Sequence, residues 1–257
     1  MAEITPAAVA KLREMTSAGM MECKKALTQA QGDLDAAVDI LRKSGAASAA
    51  KKASRDANEG LIAQYILPGG QAGVLVEVNC ETDFVARNET FRAFCDDLAK
   101  KIAQDPTVNL EADREAAVGR IGENIKITRH ARLDVAGNGL VAAYIHTGAK
   151  VGVLVEVGAG KAETTGRDEF KQLVKDITLQ IAAQSDRLKG KPAAAMEKIL
   201  AGVLDKFFQT YCLVDQGFVK QNSEVSVKEH VAQVAKLLGD EITIRRFVRF
   251  QVGETAA

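Results

Sequence analysis

The chain has 257 residues, 47% of them apolar, with 34 basic against 34 acidic side chains. So much apolar side chain can fill a core across two or three modest domains, which excludes a disordered chain. Zero net charge removes the global field that would draw it to nucleic acid or an anionic membrane. Cys23, Cys80, Cys95 and Cys212 show no CxxC spacing and no His/Cys neighbours of the kind zinc needs, so they read as free thiols of a reducing cytosol. Residues 1–15 mix charge with apolar side chains and offer no signal-peptide core. No run approaches the roughly 18 apolar residues that span a bilayer, so a soluble cytoplasmic protein is expected.

Thr5 is placed to cap a helix that starts at Pro6 and repeats Val9, Leu12 and Met15 at helical spacing. Gly19 opens a second helix with Met20, Cys23, Leu27 and Ala30 on one face. Gly32 ends it and Asp33 caps a third, with a stripe of Leu34, Ala37, Val38 and Leu41, which Gly45 is expected to stop. Met15, Met20 and Met21 suit either the core of this unit or an adaptable binding surface. The unit reads as a docking module. Residues 46–59 read as a solvated helix or linker without an apolar face, giving a first domain of 1–55.

The remainder repeats itself. Residues 60–78 and 139–157 match without gaps at an offset of 79, with 12 identities in 19 positions. Each copy alternates, turns at a glycine (Gly69, Gly148) and returns in an almost wholly apolar strand, the pattern of a β-hairpin. The offset continues into a helix, where Phe91, Phe94, Leu98 and Ile102 answer to Phe170, Leu173, Ile177 and Ile181. Residues 122–135 then match 239–252 at an offset of 117, with 6 identities in 14 positions. The unit is hairpin, helix, helix, strand, so the expected fold is α+β with core repeats at 56–136 and 137–257. The second copy carries extra residues that imply a short helical insertion at about 186–222. A helix over residues 191–211 would supply it, with Met196, Ile199, Leu200, Val203, Leu204, Phe207 and Phe208 on one face.

The copies diverge just after the second hairpin strand. Cys80-Glu81-Thr82-Asp83-Phe84-Val85 in the first faces Ala159-Gly160-Lys161-Ala162-Glu163-Thr164 in the second. Either Asp83 caps a helix beginning near Phe84, whose ring packs inward, or the turn projects a carboxylate and a ring into another protein. Pattern alone leaves both open. An enzyme built on Cys80 lacks a neighbouring histidine, and no GxxxxGK accompanies Gly69 and Gly70. An RNA-stacking strand at Arg245, Arg246, Phe247, Arg249 and Phe250 conflicts with the structural duplication of that strand.

At these residues the sequence resembles the elongation factor Ts family: TSAGMMECKKAL (residues 16–27), VNCETDFVA (78–86) and RFVRF (246–250), in that order. The resemblance implies a ubiquitin-associated-like front domain and a non-enzymatic exchange factor that loosens GDP from elongation factor Tu. Asp83 and Phe84, flanked by Thr82 and Val85, would enter the partner's nucleotide domain beside its magnesium and phosphate site. Ile121 and His146 would touch the same partner, and Met20 and Met21 would dock the front module. No cofactor, metal site, nucleic acid or membrane is implied, and the resemblance admits a dimer of heterodimers. Family members often carry a longer two-helix arm at the insertion and further helical residues after the closing strand.

Overall fold

Thr5 Oγ1 accepts a hydrogen bond from Ala8 N (3.2 Å) where Pro6 begins α1 (Pro6–Thr16). The computed structural model describes residues 4–16, 18–183 and 209–254. Gly19 caps α2 (Met20–Gln29), with Glu22 reaching back to its N–H (3.2 Å), and Asp33 caps α3 (Leu34–Lys52) by accepting from Ala36 N (3.0 Å). Leu12, Cys23, Ala26, Leu27 and Ala37 close a small core between these helices.

Three expectations fail here. Met20 does not lie on the buried face of α2, and of the two readings of the methionines, core or surface, Met21 and Met15 take the second as well. They are 59%, 64% and 54% exposed, because Cys23, Ala26 and Leu27 already fill the space this short bundle encloses. Gly45 does not stop α3. The helix continues through it to Lys52, because Gly45 and Ala49 are buried where α3 crosses α6 (Glu111–Ile121). A Cβ at Gly45 would stand 3.1 Å from the Glu115 carbonyl, so the missing side chain lets two helix backbones approach. Residues 46–52 therefore have an apolar face after all, made of small side chains.

The duplication is structural as well as sequential. Strands β1 (Glu59–Ile66) and β2 (Ala72–Cys80) pair from Glu59↔Cys80 to Ile66↔Gly73. The strands β4 (Gly139–Ile145) and β5 (Val151–Ala159) repeat the arrangement. After each hairpin come helices, α4 (Asp83–Arg87), α5 (Glu89–Gln104) and α6 in the first repeat, α7 (Asp168–Ala183) and α8 (Val227–Leu238) in the second. A closing strand, β3 (Lys126–Asp134) or β6 (Ile242–Gln251), then pairs with the far side of β2 or β5. Two three-stranded antiparallel sheets result, each with its register shift at the matching place, Glu77/Val78 and Glu156/Val157. Gly122 and Gly239 end α6 and α8 in left-handed conformation, as their shared position in the repeat requires. The expected helix over residues 191–211 lies outside the described residues except at its last three positions, which are helical; 3-10 turns at Leu213–Asp215 and Val219–Gln221 come after it.

The sheets stack face to face with helices outside. On β2, Val74, Val76 and Val78 face α5, whereas Leu75 faces the other sheet, so the strand is buried along its length. The inner layer joins Ile62, Leu75 and Leu133 to Val141, Leu154 and Phe250. Its closeness depends on Gly73 and Gly152. A Cβ on Gly73 would meet Ile66 Cδ1 at 2.5 Å and Val141 Cγ1 at 2.8 Å; one on Gly152 would meet Ile62 Cγ2 at 2.6 Å.

Two buried carboxylates lie in the same layer. Glu77 accepts from Arg129 Nε (2.7 Å) and Gly253 N (3.1 Å); Glu156 accepts from Arg246 Nε (2.6 Å), Arg245 Nη1 (3.0 Å) and Ala136 N (2.9 Å). Each central arginine also crosses to the other repeat, Arg129 to the Gln251 carbonyl (3.0 Å) and Arg246 to the Asp134 carbonyl (2.7 Å).

Gly152→Val is expected to destabilise the chain by about 1–3 kcal/mol through overpacking, read from denaturant midpoints. Burial by itself raises the Glu156 pKa, but the Ala136 N–H and the guanidiniums of Arg246 and Arg245 outweigh it and hold the carboxyl below its ordinary value. A depressed folded pKa contributes stability above the unfolded value, about 4.3 for Glu, and loses it as pH falls through the folded one. Unfolding free energy measured against pH should therefore fall more steeply below about pH 4.3 in the wild type than in Glu156→Gln.

Candidate functional site: an exposed aromatic tip beside an apolar groove

The segment leaving β2 is fixed at both ends. Thr82 is the N-cap of α4, its Oγ1 accepting from Val85 N (3.3 Å), and Asn88 caps α5 by accepting from Thr90 N (2.8 Å). Only five residues lie between the caps. Ala86 is buried and Val85 packs on the first-repeat core, so they take the inward side of α4. Phe84, one helical step from Val85, is left 83% exposed. Both halves of the inward expectation are thereby corrected: the cap is Thr82 and the ring is outside. Asp83 instead pairs with Arg87 one turn on (2.9 Å).

Beside this tip runs a groove of about 1150 Å³ between the front helices and the core. Met20 and Met21 line one wall, Val85, Phe91 and Ile121 the other, and Arg13, Lys24 and Arg120 contribute charge at its margin. Of the expected site residues, Met20, Met21, Val85 and Ile121 thus share one surface, with Thr82 at the root of α4 beside it. Their juxtaposition comes from the α3–α6 crossing, which holds the front module against the first repeat.

His146 lies on the same end of the core by another route. The β4–β5 turn folds over the open end of the first hairpin, where Ile62 N donates to the Ala149 carbonyl (2.8 Å) and Lys150 pairs with Glu59. Glu59 is the strand partner of Cys80, from which the tip emerges. His146 is exposed there, hydrogen-bonded to Tyr144 Oη (3.1 Å), and borders a smaller depression with Arg92 and Asp96. Burial pushes the Asp96 carboxyl up, against the pull of Arg92.

Glu123 was missed by motif reading. Its Oε2 accepts from Glu81 N (3.0 Å) and Thr82 N (3.0 Å), and its Oε1 from Thr82 Oγ1 (2.6 Å). The available signal was the acid shared by both repeats at the 117-residue offset, Glu123 and Asp240.

Other candidates lose their chemistry. Cys80 is buried, and that burial, with Glu123 adding to it, pushes its thiol up to about 12, which keeps it protonated and unreactive. Arg245 and Arg246 are engaged by Glu156, and Arg249 by Glu254 and Gln251, while Phe250 is buried. Among the described residues there is no cluster of metal-ligating side chains, and no helix is long and apolar enough to cross a membrane.

The fold and site together define a duplicated α+β core with an exposed aromatic tip and an apolar groove beside it. The family model described as Elongation factor TS matches residues 81–189 and 183–254. The chain is 45% identical to elongation factor Ts of Symbiobacterium thermophilum, covering 99% of the chain and 93% of that protein. Against elongation factor Ts of Clostridioides difficile (strain 630) the identity is 40%, over 99% and 94%. The chain belongs to the elongation factor Ts family, and with it to the factors of protein biosynthesis.

If Phe84 carries no packing, Phe84→Ala should leave folding stability within about 0.5 kcal/mol, the usual range for surface changes. Phe91→Ala, in the first turns of α5 and fully buried, should cost about 3–5 kcal/mol in the same urea titration.

Proposed function

We propose that this chain is a guanine-nucleotide exchange factor for elongation factor Tu, and that Asp83 and Phe84 promote GDP release by disturbing the partner's magnesium and phosphate site. The observation that carries this reading is the exposure of Phe84 at the turn after the hairpin, where the two repeats part company. Solvating a phenyl ring costs roughly 1.5–3 kcal/mol relative to burial, so an outward ring on a rigid short helix has its use in another protein's pocket. Its counterpart in the second repeat is Glu163, which needs no such pocket.

In this reading Phe84 wedges between helices of the partner's nucleotide domain. Asp83, held in line by Arg87, acts on the helix that carries the metal-coordinating network. Factor and nucleotide then favour different conformations of one site, so each weakens the other's binding. No covalent step is needed. Met20 and Met21, with Val85 and Ile121, form an adaptable apolar surface that seats the partner, and His146 approaches its phosphate-loop side. The front helices, residues 1–55, act as a ubiquitin-associated-like docking domain, and residues 56–136 and 137–257 are the two core subdomains. The exchange takes place in the cytoplasm, without a cofactor.

Release of fluorescent GDP from elongation factor Tu tests this. The wild type is expected to accelerate release strongly, and Asp83→Ala or Phe84→Ala to lose at least about tenfold of that acceleration with folding intact, the size of a hot-spot truncation. Full acceleration by the double variant would remove Asp83 and Phe84 from the mechanism.

A further inference from the structure

The geometry points to Glu123 as the positioning residue that holds the Asp83–Phe84 tip in its presenting conformation. This inference rests on the exchange role proposed for that tip. Helix α4 has five residues, far short of the roughly 12–15 an isolated helix needs, so its shape must be imposed from outside. The carboxylate of Glu123, set just after the left-handed Gly122, reaches back 42 residues along the chain to Glu81 and 41 to Thr82.

Each oxygen has a separate task. Oε2 takes two backbone N–H groups where β2 ends and satisfies donors that would otherwise lack a partner. Oε1 takes the proton of the Thr82 hydroxyl, which turns a lone pair of that oxygen toward Val85 N and completes the helix cap. Charge-assisted bonds of this kind are about twice as strong as neutral ones. Two further bonds brace the same turn: Glu81 Oε1 accepts from Asn124 N (2.6 Å), and the Cys80 thiol donates to the Thr82 carbonyl (3.2 Å).

The second repeat keeps this device without the tip. Asp240, the counterpart of Glu123, accepts from Lys161 N (2.9 Å) and Thr164 Oγ1 (2.6 Å), and a 3-10 turn over Glu163–Gly166 stands where α4 would be. The clamp is thus common to both halves, and only in the first does it aim an aromatic ring outward.

Two readouts on the full-length chain test the assignment. Amide hydrogen exchange should show lost protection at Val85 and Ala86 in Glu123→Ala. Accelerated GDP release should fall about tenfold, the loss of several bonds to a charged group. Glu123→Gln should recover most of both, because its carbonyl oxygen still accepts from the backbone N–H groups of Glu81 and Thr82 and its amide N–H donates to the Thr82 hydroxyl, which keeps a lone pair for Val85 N. In an Asp83→Ala, Phe84→Ala background, Glu123→Ala should change release no further, since it acts through those two side chains. Losses that multiply in the triple variant, or full release by Glu123→Ala, would overturn the assignment. Should Glu123→Ala unfold the chain, Thr82→Val removes the hydroxyl, and with it both the bond to Oε1 and the cap on Val85 N, while leaving the two backbone bonds to Oε2, and is expected to lower release in the same way; unchanged release would count against the clamp. If the wild type does not release GDP, the exchange role fails. Unchanged protection at Val85 and Ala86 would still decide, separately, against Glu123.

Discussion

The contact between the inner faces of β2 and β5 is the constraint on which the molecule depends. Gly73 and Gly152 leave room for Val141 and Ile62 to enter the opposite sheet, and any larger residue would hold the sheets apart. Once the sheets touch, β2 and β5 are covered on both sides and must be apolar along their length. The exceptions are Asn79, which accepts from the Thr128 hydroxyl, and Glu77 and Glu156, which arrive in the layer already paired with arginines of the closing strands. Those arginines hydrogen-bond across to the other repeat, so neither half satisfies its buried charge alone.

This stacking also determines where the proposed docking surface lies. The turn of the second hairpin sits over the open end of the first. His146 and the Cys80–Phe84 turn therefore come to one end of the core although they are far apart along the chain. The α3–α6 crossing then brings the exposed methionines to the same end. At Gly45 the two helix backbones approach closely, and an apolar groove lies between the front helices and the core.

Duplication separates the parts that serve folding from the parts that do not. Bulges, left-handed glycines and crossing arginines recur in both repeats, since each solves the same packing or hydrogen-bonding problem twice. The segment after the hairpin does not recur. There the first repeat applies its clamp to a short helix with a solvated phenyl ring, a local arrangement that leaves apolar surface in water and that the proposed docking to another protein would bury.

Much was legible from the sequence because it was periodic. The hairpins, the α5 and α7 stripes, the caps at Thr5 and Asp33 and the 79- and 117-residue offsets all come from local propensity and self-similarity, and the motif strings placed the chain in its family. The failures were judgements about which face a residue shows. Periodicity put Met20 among buried residues and allowed Phe84 inside, and it read Gly45 as a stop, since in isolation glycine weakens a helix. Those choices belonged to the tertiary structure. A short bundle already filled by Cys23 and Leu27 excludes the methionines, the two caps around α4 turn Phe84 outward, and the neighbouring backbone of α6 makes glycine the residue that lets α3 continue. The sequence by itself determined the elements and their repetition, which depend on neighbours along the chain; only the folded chain decided exposure and convergence, which depend on neighbours in space.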